Sequence, residues 1–117
     1  MVESVCFGSF TRFEEEVECC DKALYLLPTY AEAWSTKSAA LLALNRNPEA
    51  SDCAKRATEL DPNLASGWSN FAATRLAFKE YDVALRYFER ASALGSPIAA
   101  QGAAYCRKML ASARQPS

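Results

Sequence analysis

Apolar residues recur at helical spacing from Trp34 to Leu60, with one interruption. Trp34, Leu41, Leu42 and Leu44 form a first stripe, and Ala50, Cys53, Ala54, Ala57 and Leu60 a second. Between them lies Asn45-Arg46-Asn47-Pro48. Asn47 suits an N-cap, and Pro48 suits the first helical position, where its missing N–H costs nothing. Asp61-Pro62-Asn63 ends the second stripe and opens the next segment. The pattern predicts a helix–turn–helix unit. No run shows the period-two alternation of a strand, so the chain reads as all-α.

The same pattern returns 34 residues later. Ala31–Leu64 overlays Ala65–Ile98 without a gap. Identities fall at Ala31/Ala65, Trp34/Trp68, Ser35/Ser69, Ala39/Ala73, Leu42/Leu76, Ala43/Ala77, Ala50/Ala84, Arg56/Arg90, Ala57/Ala91 and Leu60/Leu94. A repeat of this length means stacked supersecondary units, each unable to bury its apolar face alone. Ala50/Ala84 and Ala57/Ala91 sit where paired helices approach most closely, and a larger side chain would wedge them apart. Trp34 and Trp68 are read as bulky core residues between stacked hairpins.

These motifs resemble the tetratricopeptide-repeat family over roughly residues 13–113. The family's opening appears loosely as Trp34…Leu41 and as Trp68-x-x-Phe71-Ala72. Its close appears as Ala50…Ala54…Ala57…Pro62 and as Ala84…Phe88…Ala91, with Ser96 in place of proline. The resemblance implies a right-handed α-solenoid of stacked antiparallel helix pairs. It would comprise two full repeats (31–64 and 65–98), flanking half repeats (about 13–30 and 99–113) and a C-terminal solvating helix.

Backwards, the register places Phe13, Ala23, Leu26 and Pro28 at the positions of a second helix, with Thr11-x-x-Glu14 as a capping box that starts it. Glu16 stands where the family usually has alanine. Residues 1–12 read as an amino-terminal arm or a shortened first helix, with Phe7 and Phe10 available for packing. Forwards, Ser96-Pro97 caps a last helix to about Ala113, with Tyr105 and Met109 facing inward, and 114–117 read as a frayed tail.

Arrays of this family bind peptides or protein segments on the concave face of their first helices. Carried over by position, the binding face comprises Glu32, Thr36, Ala39, Leu42, Ser66, Ser69, Asn70, Ala73, Leu76, Ala77, Arg107 and Leu110. Ser35, Ala43, Ala100, Ala103, Ala104 and Ala111 border it. This is an apolar, small-residue floor with Asn70 as a polar handle. Leu42, Leu76 and Leu110 recur at one position, spaced to take alternate anchors of a ligand. Family members that hold the acidic tails of chaperones use a clamp of Lys, Asn and Arg. Asn70 matches a clamp asparagine, but Glu32, Thr36, Ala100 and Ala104 occupy the partner positions, so the clamp is expected to be absent.

Composition narrows the function classes. The chain has 117 residues, half of them hydrophobic, and a net charge of −1, which disfavours general affinity for nucleic acid or anionic membrane. RNA binding by helical repeats is disfavoured by the few cations on the expected groove. There is no histidine, which removes His-dependent catalytic and metal arrangements. No enzyme, metal site or cofactor is expected. Cys6, Cys19, Cys20, Cys53 and Cys106 are odd in number and lack Cys-x-x-Cys spacing, so they read as small apolar fillers in a reduced compartment. No stretch is long enough to span a bilayer, and Glu3 is unsuited to a signal peptide; a cytoplasmic protein is expected. Charge is uneven. The first 21 residues hold six acids against Arg12, and after Glu89 only Arg90, Arg107, Lys108 and Arg114 are charged. The expected function is a non-catalytic interaction module (adaptor, co-chaperone or scaffold) whose partner is an apolar or amphipathic protein segment. The alternative is a self-associating structural protein, its groove filled by the arm or by a second copy, or its acidic start meeting a basic end.

Overall fold

Three left-handed backbone positions shape the molecule: Asn45 (φ 62°), Lys79 (φ 64°) and Gly95 (φ 107°). Each follows a helix and lets the next N–H reach back five residues, from Arg46 to the Leu41 carbonyl, Glu80 to Arg75 and Ser96 to Ala91, at 2.8–3.1 Å. The structure, a computed structural model, describes the backbone of residues 2–114 and the side chains of residues 12–112. Six helices result: α1 (Val2–Leu26), α2 (Ala31–Ala43), α3 (Asn47–Leu60), α4 (Ala65–Ala77), α5 (Tyr81–Ala93) and α6 (Pro97–Arg114). No strand occurs among the described residues. Each helix packs on the next in chain order, and α2, α4 and α6 also touch in succession as an inner row. Two repeats, α2–α3 and α4–α5, stack between the single helices α1 and α6.

Small residues set the spacing of the stack. Ala50, Ala54, Ala57, Ala72, Ala84, Ala91 and Ala99 have no solvent exposure. Ser38 donates its hydroxyl to the Ala50 carbonyl at 2.9 Å, which fixes how closely α2 lies on α3. Two apolar clusters follow, one built on Leu41, Ala50 and Cys53, the other on Ala72, Ala84, Phe88, Ala91, Ala99, Ala103 and Cys106.

Several local expectations are corrected. The helix start at Thr11 is absent: α1 runs unbroken from Val2 through the proposed capping box, so the separate shortened helix over 1–12 does not form. Thr11 stands at the repeat position of Asn45 and Lys79, and a β-branched residue is a poor occupant of φ near +60°. The hairpin turn is therefore disfavoured and the helix continues. The packing expected of Phe7 and Phe10 lies outside the described residues, as does the tail beyond Arg114. Asn47 is already helical; Arg46 is the N-cap and makes no side-chain cap. Its guanidinium instead binds Glu49 through two contacts of 2.7 Å. Ser96 does cap α6, accepting from the Ala99 N–H at 3.3 Å. Tyr105, expected to face inward, is 48% exposed because no later helix covers that side of α6 among the described residues. Trp34 and Trp68 are half-buried, and each indole N–H donates to a turn carbonyl, Pro28 at 2.9 Å and Pro62 at 2.7 Å. They lock the turns between units as well as filling space.

Candidate functional site

The face expected from the sequence is built by α2, α4 and α6. On α2, Glu32, Thr36 and Ala39 are exposed, while Leu42 is half-buried against the Leu41–Ala50–Cys53 cluster. On α4, Ser66 and Ala77 are exposed, and Ser69, Asn70, Ala73 and Leu76 are half-buried. Leu76 leans on the second apolar cluster. On α6, Arg107 is exposed and Leu110 half-buried. Two of the three recurrent leucines therefore serve the core with part of their surface, leaving the rest for a ligand.

Asn70 differs from the free handle expected. Its amide donates to the Ser35 carbonyl at 2.9 Å and to the Ser35 hydroxyl at 3.0 Å. The Ser35 hydroxyl also meets that of Ser66 at 2.9 Å. Asn70 thus staples α4 to α2, and its donor is engaged within the fold. Arg107 is likewise engaged, pairing with Glu89 of α5 at 2.9 Å. Exposed as it is, that pair is worth little in stability but offsets the cation's charge.

Other constellations were not visible in the sequence. Arg75 lies between Phe71 and Phe78, with its guanidinium carbon 5.8 and 5.2 Å from the ring centroids. It donates to the Ser51 hydroxyl at 2.5 Å and pairs with Glu80 at 3.3 Å, tying α3 to the turn before α5. The repeat register gave only the hint that arginine replaces Leu41. Lys37 pairs with Asp21 at 2.6 Å across α1 and α2, and lies 5.8 Å from the Trp34 ring centroid. Burial alone would lower the Lys37 pKa, but the Asp21 hydrogen bond and nearby acids hold it above the ordinary lysine value. Cys20, Cys53 and Cys106 are buried, and loss of solvent raises each thiol pKa; Glu16 and Asp21 add to the rise at Cys20. These three fit the filler role; Cys19 is exposed. At the α1 end, Cys19, Cys20, Ala23, Glu32, Ala33 and Thr36 line a shallow hollow.

The stacked helix pairs, the inner row and the left-handed turns define an α-solenoid of the tetratricopeptide type. Solved structures bear this out. The chain is similar to the Sgt2 TPR domain from Aspergillus fumigatus, at 20% identity and TM-score 0.86 over 99% of this chain and 82% of that one. It is similar to the TPR2B domain of yeast Sti1 in complex with pHsp70, at 24% identity and TM-score 0.78 over 92% and 93% of the two chains. A further likeness is to the first TPR of Spaghetti (RPAP3) bound to the HSP90 peptide SRMEEVD, at 19% identity and TM-score 0.80 over 93% and 86%. No protein-family model and no curated protein matches the sequence. The chain has the fold of a tetratricopeptide-repeat domain.

Proposed function

We propose that this protein is a non-catalytic interaction module, an adaptor, co-chaperone or scaffold, that binds a peptide segment along the face of α2, α4 and α6. The observation that carries the reading is the character of that face. Thr36, Ala39, Ser66 and Ala77 are exposed and small, Leu42, Leu76 and Leu110 are half-exposed between them, and the cation Arg107 is paired with Glu89. Such a floor favours an apolar or amphipathic segment. The Sti1 and RPAP3 domains are bound to pHsp70 and to an HSP90 peptide, respectively. That supports peptide binding as the class of function. For this chain an acidic tail is disfavoured, because Glu32, Thr36, Ala100 and Ala104 supply no cation beside Asn70, whose donor is already used. A cytoplasmic setting accords with this role; no helix among the described residues is long and apolar enough to cross a membrane.

The test is a fluorescence titration with two labelled peptides, the acidic SRMEEVD and an amphipathic helical peptide of leucine, alanine and lysine. The amphipathic peptide is expected to bind and to be lost in Ala39→Arg, which changes an exposed position and leaves the helical spectrum intact. Tight binding of the acidic peptide, or amphipathic binding that Ala39→Arg leaves unchanged, would overturn the reading.

A further inference from the structure

The open polar groups on the face of α2, α4 and α6 are mostly acceptors. The Ser35 carbonyl can only accept, so the Asn70 side chain must turn its NH2 toward it. Both amide hydrogens are then taken, by that carbonyl at 2.9 Å and by the Ser35 hydroxyl at 3.0 Å. The amide oxygen points elsewhere; it has no partner among the described residues and is not sealed from solvent. Glu32 lies one turn before Ser35 on the same side of α2. Its carboxylate is exposed, accepts from the Tyr30 hydroxyl at 3.3 Å and forms no ion pair among the described residues. The cation of the face, Arg107, is already held by Glu89 at 2.9 Å.

The exposure of Glu32 does not come from its place near the start of the stack. Ser66 and Ala100 hold the same register position on α4 and α6, each with a helix of the inner row before it, and both are exposed. The position belongs to the open face in every unit, and only here is it charged. The surrounding field has the same sign. Glu32, Thr36 and Cys20 line one hollow, where burial raises the Cys20 thiol and Glu16 and Asp21 raise it further, each outweighing Lys37. A ligand carboxylate laid here would meet a second carboxylate and an amide oxygen, neither able to donate. An ammonium or guanidinium group would satisfy both.

Resting on the peptide-binding reading above, we propose that the ligand of this face is a basic amphipathic segment, with a lysine or arginine set over Glu32 and an N–H donor directed at the Asn70 amide oxygen. Glu32 is the residue that selects the ligand's charge. Apolar side chains seated on Leu42, Leu76 and Leu110 supply most of the attraction, and the charge decides between partners. Because Glu32 is exposed, its contribution is modest and falls with salt.

The test uses three labelled peptides of one leucine–alanine sequence, carrying lysine, glutamine or glutamate at the same positions, titrated at low and high salt. At low salt the wild type is expected to bind the lysine peptide about two- to fivefold more tightly than the glutamine peptide, and the glutamate peptide most weakly. High salt should close the gap. Glu32→Gln is expected to bring the lysine peptide down to the glutamine peptide, and Glu32→Lys to invert the order, both with the helical spectrum unchanged. Equal affinities in the wild type, or a preference for lysine that both Glu32 variants keep, would overturn the proposal. Ala39→Arg separates this from the reading beneath it. If it abolishes binding of the glutamine peptide while the charge preference is missing, the face still binds peptides and only the selection by Glu32 is wrong. If none of the three peptides binds, or Ala39→Arg leaves all three unaffected, both fall.

Discussion

The most informative single position is Gly102. It stands in register with Trp34 and Trp68, so the third member of the series exchanges the largest side chain for none. The reason lies across the contact with α5. A Cβ at Gly102 would meet the Phe88 ring at 2.6 Å, and Phe88 in turn stands where the earlier units have Ala54 and Cys20. Large and small have changed places between facing helices while the space to be filled stays the same. Gly102→Ala is therefore expected to destabilise. Overpacking against a ring that is only 5% exposed costs about 1–3 kcal/mol, of which the better helix propensity of alanine returns roughly 0.5–1 kcal/mol. A lowered urea midpoint with an unchanged slope would show it, and Gly102→Ala combined with Phe88→Leu should recover part of the loss.

Among the elements, α2 and α4 are joined by the Ser35–Asn70–Ser66 group. Asn70→Ala removes both bonds to Ser35, a residue only 2% exposed, and leaves its carbonyl without that donor, so a loss of about 1–2 kcal/mol is expected in chemical denaturation. Asn70→Asp should be worse, since it presents an acceptor to an acceptor carbonyl. The helix pairs themselves were legible in the sequence, because the alanine positions and the Asn–Pro and Asp–Pro boundaries repeat with fixed spacing. The fate of the first twelve residues was not, since Thr11-x-x-Glu14 reads locally as a cap. What decides against it is the φ that a hairpin turn demands there, visible only once Asn45 and Lys79 are seen to be left-handed. The binding face was only partly legible. Register picks out which helices line it, but not that Asn70 and Arg107 already hold partners.

At the scale of the whole molecule, three buried thiols and one lysine act together on stability at alkaline pH. Burial holds Cys20, Cys53 and Cys106 above the ordinary thiol value of 9.0. Lys37, despite its burial, is held above 10.5 by Asp21. In each case the folded chain keeps a proton that the unfolded chain releases, so the contribution is whole below the unfolded value and fades as pH rises through the folded one. The melting temperature is expected to fall from about pH 9 upward, and Cys53→Ala should make that fall shallower.

Among the described residues, contacts join each helix only to those one or two places away in the chain. Bringing such a chain together closes only short loops, so folding should be fast for its size, and opening should begin wherever a helix has the fewest neighbours. Amide hydrogen exchange would then be slowest in α4, which touches four other helices, and fastest in α1, which among the described residues touches one. The molecule would come apart from its ends like a stack of plates, losing the outermost helices while its middle still held.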